Sequence, residues 1–200
     1  MGDNQNQQTN LPPGLNGVAA IAISTYHSFA VKSNGTLVIW GYSPGLGSPP
    51  AGLSNVVAVS ASPWPPPIVG GGFAGPGDFA LALKGDGTVV GWGYAPQSAN
   101  GPTNVPALSN VVSISAGGGH GLALLNDSTV IGWGFNHRGE ATGIPNLISP
   151  YASTGQVMIA GQVLSNVVAI APGPLTASPS KTTARWSPGE QTSMAKRRFP

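Results

Sequence analysis

Three histidines, six carboxylates and five tryptophans are the residues of this chain that could do chemistry or anchor a ligand, and their spacing narrows what they can do. His27 and His120 open two copies of one motif, "HSFAVKSNGTLVIWG" and "HGLALLNDSTVIGWG". Recurrence in register marks them as structural hydrogen-bonding positions inside a repeat rather than as general bases. His137, in "GFNHRGE", has Arg138 and Glu140 for neighbours but lies in a polar linker and reads as a solvated side chain. Asp86 and Asp127 fall in "GDG" and "NDS", where they are turn residues, so no pair of carboxylates is set up for acid-base work. Three scattered histidines and no cysteine give no metal-ligand spacing, and they exclude thiol chemistry and a disulfide framework. "GGGFAGPG", residues 70–77, resembles a phosphate loop in glycine content alone, because it lacks the Lys and Ser/Thr that would hold the phosphate and its metal. The expectation is therefore no catalytic residue, no metal and no cofactor.

Composition agrees with a packed, neutral body. Only 7% of the residues are charged, and 30 Gly with 20 Pro make up a quarter of the 200 positions. Without a period such a composition would read as low complexity; here there is a period. Residues 1–174 hold Lys32, Lys84 and Arg138 against five carboxylates, a balance of 3 − 5 = −2, so the net charge of +2 is made by the last stretch of chain. A body so nearly neutral has no basic face to track phosphates, which argues against nucleic-acid binding. No apolar run is long enough to span a membrane, and "MGDNQNQQTN" has neither the basic start nor the apolar stretch of a secretory signal.

The period positions those residues. "LSNVVSISAG" from Leu108 recurs as "LNGVAAIAIS" from Leu15, "LSNVVAVSAS" from Leu53 and "LSNVVAIAPG" from Leu164. In the three complete copies a tryptophan follows the His or Phe by 13 residues: Trp40 after His27, Trp92 after Phe79, Trp133 after His120. Each unit reads as antiparallel β-strands. A β-branched and small first strand leads to a Leu/Ala-alternating second, then an Asn/Asp/Gly turn and a β-branched third. Both faces of the strands are apolar or small, as in a sheet covered on both sides, and blades stacked radially supply that cover. The small residues of "IAIS" and "SISAGGG" suit the innermost strand, where blades converge. The recurring Trp40, Trp92 and Trp133 read as packing residues. The fold expected is all-β, an incomplete propeller of about three and a half antiparallel blades, with units near 1–41, 42–93, 94–134 and a partial one at 135–174.

These repeats, "LSNVVxIxAGxxHxLAL…DGTVVxWG", resemble those of the regulator-of-chromosome-condensation family, whose full-length members are seven-bladed β-propellers. The wording "LSNVVAIAAG" with "NVP" linkers is closer to long bacterial repeat proteins than to the eukaryotic nuclear exchange factor. The resemblance covers residues 2–174. It implies a ring closed by additional strands, so residues 1–174 alone would expose apolar blade faces and self-associate. Two departures stand out. Phe79 replaces the repeat histidine after the insertion "PWPPPIVGGGFAGPG", and the connection from Trp133 to Leu164 takes 31 residues against 13 from Trp40 to Leu53. Insertions in repeats map to loops on one face, which makes Trp64, Phe73 and Tyr151 the candidate binding contacts.

Residues 175–200 depart from the pattern altogether and hold five of the eight Lys and Arg. The fourth unit begins correctly at Leu164 and then lacks the histidine due at position 176 and the tryptophan due at 189. Reverse translation of Leu175 to Pro200, with third bases chosen freely, contains "HSLALKDDGTVVAWGANLNGQTTVP" in the frame that starts at the third base of codon 175. That is the missing hairpin and linker in register, so this tail is expected to be a frameshift product without a native fold, and its basic residues are not a binding arm.

The function expected is a non-catalytic protein-binding or scaffold module, part of a larger propeller protein, with an unidentified protein partner. The alternatives are a secreted propeller that inhibits a bacterial enzyme, and an accessory propeller of an enzyme whose catalytic domain lies elsewhere. Guanine-nucleotide exchange is disfavoured because no catalytic insertion is recognisable. The chain fixes no compartment; secretion or display at the cell surface by a longer parent is the working expectation.

Overall fold

The computed structural model of the chain describes residues 4–5, 7–41, 46–62, 78–93, 101–149 and 153–171. Trp64, Phe73, Tyr151 and the whole of 175–200 lie outside these residues. The described part is all-β. Its strands are β1 (Val18–Ile23), β2 (His27–Lys32), β3 (Leu37–Gly41), β4 (Val56–Ala61), β5 (Phe79–Lys84), β6 (Val89–Gly93), β7 (Val111–Ala116), β8 (His120–Leu125), β9 (Val130–Gly134), β10 (Ser153–Gln156), β11 (Met158–Ile159) and β12 (Gln162–Val163). They form antiparallel sheets of order β1-β2-β3, β4-β5-β6 and β10-β9-β8-β7, with a small β11-β12 hairpin. The first three are blades, none closed into a barrel.

The first strand of each blade carries a bulge at the same place, between Val18 and Ala20, Val56 and Ala58, and Val111 and Ser113. An extra residue in one strand breaks the alternation of faces locally. The residues skipped in the pairing are Val57 and Val112, 48% and 55% exposed, while the preceding Val56 and Val111 are paired and only 2% and 5% exposed. First strands of neighbouring blades pack on each other, β1 on β4 and β4 on β7, so their small residues do occupy the convergent side.

Alternation by size along the middle strand stacks the blades. In β5, Phe79, Leu81 and Leu83 share a core with Val111, Ile114 and Trp133 of the third blade, while Ala80 and Ala82 share one with Phe29 and Val31 of the first. The large row of one blade thus lies on the small row and tryptophan of the next, at about 1.5–3 kcal/mol for each large side chain fully buried. Backbone bonds repeat at every seam. Val56 N–H donates to Gly35 O at 3.1 Å, Val111 N–H to Gly87 O at 3.2 Å and Val167 N–H to Ser128 O at 3.1 Å. The third of these seats the opening of the fourth unit in register. Leu164, Val167 and Ile170 accordingly pack against Leu122, Leu124 and Val130 of the third blade. Residues 167–171 nonetheless pair with no strand among the described residues.

The long connection after Trp133 differs from the expected plain loop. Ser153–Gln156 adds a fourth strand to the free edge of β9, pairing Ser153 with Gly134 and Gln156 with Ile131. "STGQ" has no apolar alternation to announce a strand; backbone pairing with an open ladder creates it.

Candidate binding surface

The repeat histidine of the first unit sits at a seam. His27 Nδ1 lies 2.9 Å from Asp78 Oδ2 and 3.3 Å from Ser24 Oγ, and Ser24 Oγ also accepts the His27 backbone N–H at 3.1 Å. Both ring partners therefore meet the same nitrogen. A nucleophilic relay needs serine and aspartate on opposite ring nitrogens, with the serine reachable by substrate. With His27 and Asp78 both buried, the trio has instead the geometry of a clamp, its Nδ1–H donating to the carboxylate of the next blade. The histidine thus has one partner within its own blade, Ser24, and a second across the seam, Asp78. Phe79 fills the equivalent position of the second unit. The residue preceding that position is Asp78 in the second unit and Gly119 in the third.

His120 is equally buried, and neither ring nitrogen has a hydrogen-bond partner among the described residues. Burial without a partner pushes its imidazole down to about 4, so the ring is neutral at physiological pH. The tryptophans grade from one end of the stack to the other. Trp133 is fully buried with Nε1 donating to Pro102 O at 2.8 Å, Trp92 is buried, and Trp40 is half-buried.

The linker polar residues are occupied locally. His137 stacks on Phe135 with ring centroids 6.2 Å apart, and Glu140 Oε2 accepts the Arg138 backbone N–H at 2.7 Å. Asp86 and Asp127 staple the hairpin turns: each Oδ1 accepts a bond from the side chain and backbone of the threonine two residues on, Thr88 and Thr129. Those hydroxyl bonds come first among the causes that hold both carboxyls below the usual carboxylate range. No cluster of three or more His, Asp or Glu that could hold a metal is present among the described residues.

Asn136 is the polar residue whose part is largest and was not singled out by its type. Buried after Trp133, it accepts from Ala141 N–H and Thr142 N–H at 2.9 and 3.0 Å and donates to Thr142 Oγ1 and Ile144 O at 2.8 Å. Asn4 accepts the Thr9 N–H at 3.0 Å, five residues on, as Asn136 accepts that of Ala141, and both asparagines stand third in similar segments, "GDNQ" at 2–5 and "GFNH" at 134–137. Anchored this way, the linker leads into an exposed apolar run in which Leu147 is 70% and Ile148 96% exposed. Tyr151, three residues further on, lies outside the described residues, as do Trp64 and Phe73.

Residues 111–140, the third blade with its linker, match the Regulator of chromosome condensation (RCC1) repeat. No curated protein sequence matches the chain significantly. Among solved structures, Prp20p from Saccharomyces cerevisiae, described with its binding properties to Gsp1p and histones, is similar at 18% identity and a TM-score of 0.54, over 80% of this chain and 45% of that one. The CRINKLY WD40 ectodomain of the Arabidopsis thaliana receptor kinase ACR4 is similar at 19% identity and a TM-score of 0.51, over 79% of this chain and 46% of that one. The chain thus spans under half the length of either structure. Blade order, seams that repeat in register and these likenesses together show an RCC1-like β-propeller repeat fold.

Proposed function

We propose that the chain is a non-catalytic propeller module that binds a protein partner through its inserted segments. The observation that carries this reading is the segment after Trp133. It is anchored at its root by Asn136 and at its far side by β10, and between them it presents Leu147 and Ile148 to solvent. Rigid elements that hold an exposed apolar loop are what a recognition surface needs. Tyr151 in this insertion and Trp64 and Phe73 in the other add the aromatic residues that most often anchor interfaces. The clamp geometry at His27 supports a structural part for the repeat histidines.

The test is to identify a ligand by cross-linked capture on the immobilised chain and to measure its affinity for variants. Trp64→Ala, Tyr151→Ala and Ile148→Ser are expected to weaken binding by about tenfold or more each, while His120→Ala leaves the affinity within error. A folded protein whose affinity ignores all three loop substitutions would remove the reading.

A further inference from the structure

The sheet of the third blade ends in a strand whose outer edge is open. β10 lies at the far end of the order β10-β9-β8-β7, opposite the first strand β7, and the first strands are the ones that converge. Neighbouring blades cover the faces of this sheet and leave that outer edge alone. The pairing of Ser153 with Gly134 and Gly155 with Gly132, and the bond from Val157 N–H to Val130 O, turn the backbone of residues 153, 155 and 157 towards β9. Thr154 and Gln156 therefore point an N–H and a C=O each away from β9, where no strand pairs with them among the described residues. Both residues are exposed, and a Cβ on Gly155 between them would touch nothing.

Edges of this kind are guarded in other proteins by charge, proline, a bulge or shortness. β10 has only the last: "STGQ" carries no charge and no proline, and its register with β9 is unbroken. Asn146 Nδ2 donates to Ser153 Oγ at 3.3 Å, which sets the start of β10 beside the root of the loop that exposes Leu147 and Ile148. We infer that an extended, uncharged segment of the protein partner adds to the outer edge of β10 as a fifth strand of this sheet, its apolar side chains meeting Leu147 and Ile148. The inference rests on the reading that the segment after Trp133 is the binding surface, and it names how that surface is used. β10 is the precedent, since it is itself a polar segment held on the edge of β9 by backbone pairing. In such a mode the ladder supplies affinity and the side chains beside it choose the segment. Residues 146–164 contain no Asp, Glu, Lys, Arg or His, so a charged segment would lose hydration and meet no opposite charge.

The probe is a peptide of alternating valine and threonine, capped at both ends, titrated into the full chain labelled with nitrogen-15. The expected result is slowed hydrogen exchange at the Thr154 and Gln156 amides, and no effect from the same peptide N-methylated throughout, a control that leaves the protein untouched. Thr154→Pro and Gln156→Pro remove only outward N–H groups, which an edge strand tolerates. Each should weaken binding by about fivefold, the worth of one hydrogen bond, while Thr154→Ser and Gln156→Ala keep it. Ile148→Ser should weaken it as well. Unchanged exchange at Thr154 and Gln156 overturns the inference, as does protection that appears instead at Ile39 of β3 or Gly91 of β6, or an N-methylated peptide that binds as the parent does. Loss with Ile148→Ser alone also overturns it and leaves the loop standing as a surface that works without the edge. Loss with the two prolines alone upholds the edge and counts against the loop, so the two readings fail separately.

Discussion

His27 and Asp78 join the first blade to the second through a 2.9 Å contact between Nδ1 and a carboxylate oxygen, both side chains out of reach of water. The next seam meets the same need differently, with Phe79 at the histidine position and Gly119 at the aspartate position. One molecule therefore holds a polar and an apolar solution to one packing problem. A buried polar pair is weak evidence of stability by itself, but removing one partner leaves an uncompensated polar group in a dry seam.

Asp78→Ala is expected to lower unfolding stability by about 3 kcal/mol, the lower end of what breaking a buried pair costs. His27→Phe combined with Asp78→Gly copies the second seam and should recover most of that loss. Guanidinium unfolding midpoints of the single and double variants check this. A double variant as unstable as the sum of its singles would mean that the two solutions are not interchangeable.

His120 makes stability depend on pH. Its folded value of about 4 lies below the ordinary 6.5, so below the ordinary value the unfolded chain takes up a proton that the folded chain refuses. Stability contributed by the neutral ring is complete above pH 6.5 and is lost as pH falls towards 4, up to roughly 3 kcal/mol at the bottom of the window. His120→Phe, the residue of the second unit, should flatten the pH profile of the unfolding midpoint across that window. A profile unchanged by the substitution would place the acid sensitivity elsewhere.

The blade architecture was legible because packing writes a period into the chain. The 13-residue step from His or Phe to Trp and the β-branched opening of each unit fix strand and turn together, while the bulge in each first strand was seen only in the pairing. What sequence could not convey is whatever depends on a partner strand or a neighbouring blade. The "STGQ" strand exists through the free edge of β9, while "VVAI" at 167–170, apolar and β-branched, has no ladder partner among the described residues. Asp78 looks like a loop residue until the first blade is placed beside it. Asn136 looks like a linker residue until its four hydrogen bonds are counted.

Gly121 and Trp133 form a cross-strand pair in which a Cβ on the glycine would collide with the indole. The same position is Ala80 beside Trp92, but Trp133 is tied down by its bond to Pro102 O and has nowhere to retreat. Gly121→Ala should cost about 1–3 kcal/mol as an overpacked core site and weaken the near-ultraviolet circular dichroism of the buried indole. Pairing it with Pro102→Gly, which loosens the linker, should return part of the stability. If Gly121→Ala is neutral and leaves that signal untouched, the indole is freer than its burial and hydrogen bond imply.

The fourth unit supplies the last prediction. Val167 N–H reaches Ser128 O as Val111 N–H reaches Gly87 O, so its first segment is seated where a blade's innermost strand belongs, and a histidine-led hairpin should follow after Gly173. The amino-acid sequence after that point offers prolines at 174, 179 and 188 instead, and proline removes ladder donors. Reading the gene is expected to show codons for 175–200 that spell "HSLALKDDGTVVAWGANLNGQTTVP" when read in the frame starting at the third base of codon 175. Codons incompatible with that string would end the frameshift reading. Where they agree, a gene restored by one inserted base between codons 173 and 175 should yield a chain that unfolds at higher denaturant with a larger denaturant slope, because the restored hairpin adds buried surface against Leu122 and Leu124. An unchanged slope would mean that the added residues do not fold onto the third blade.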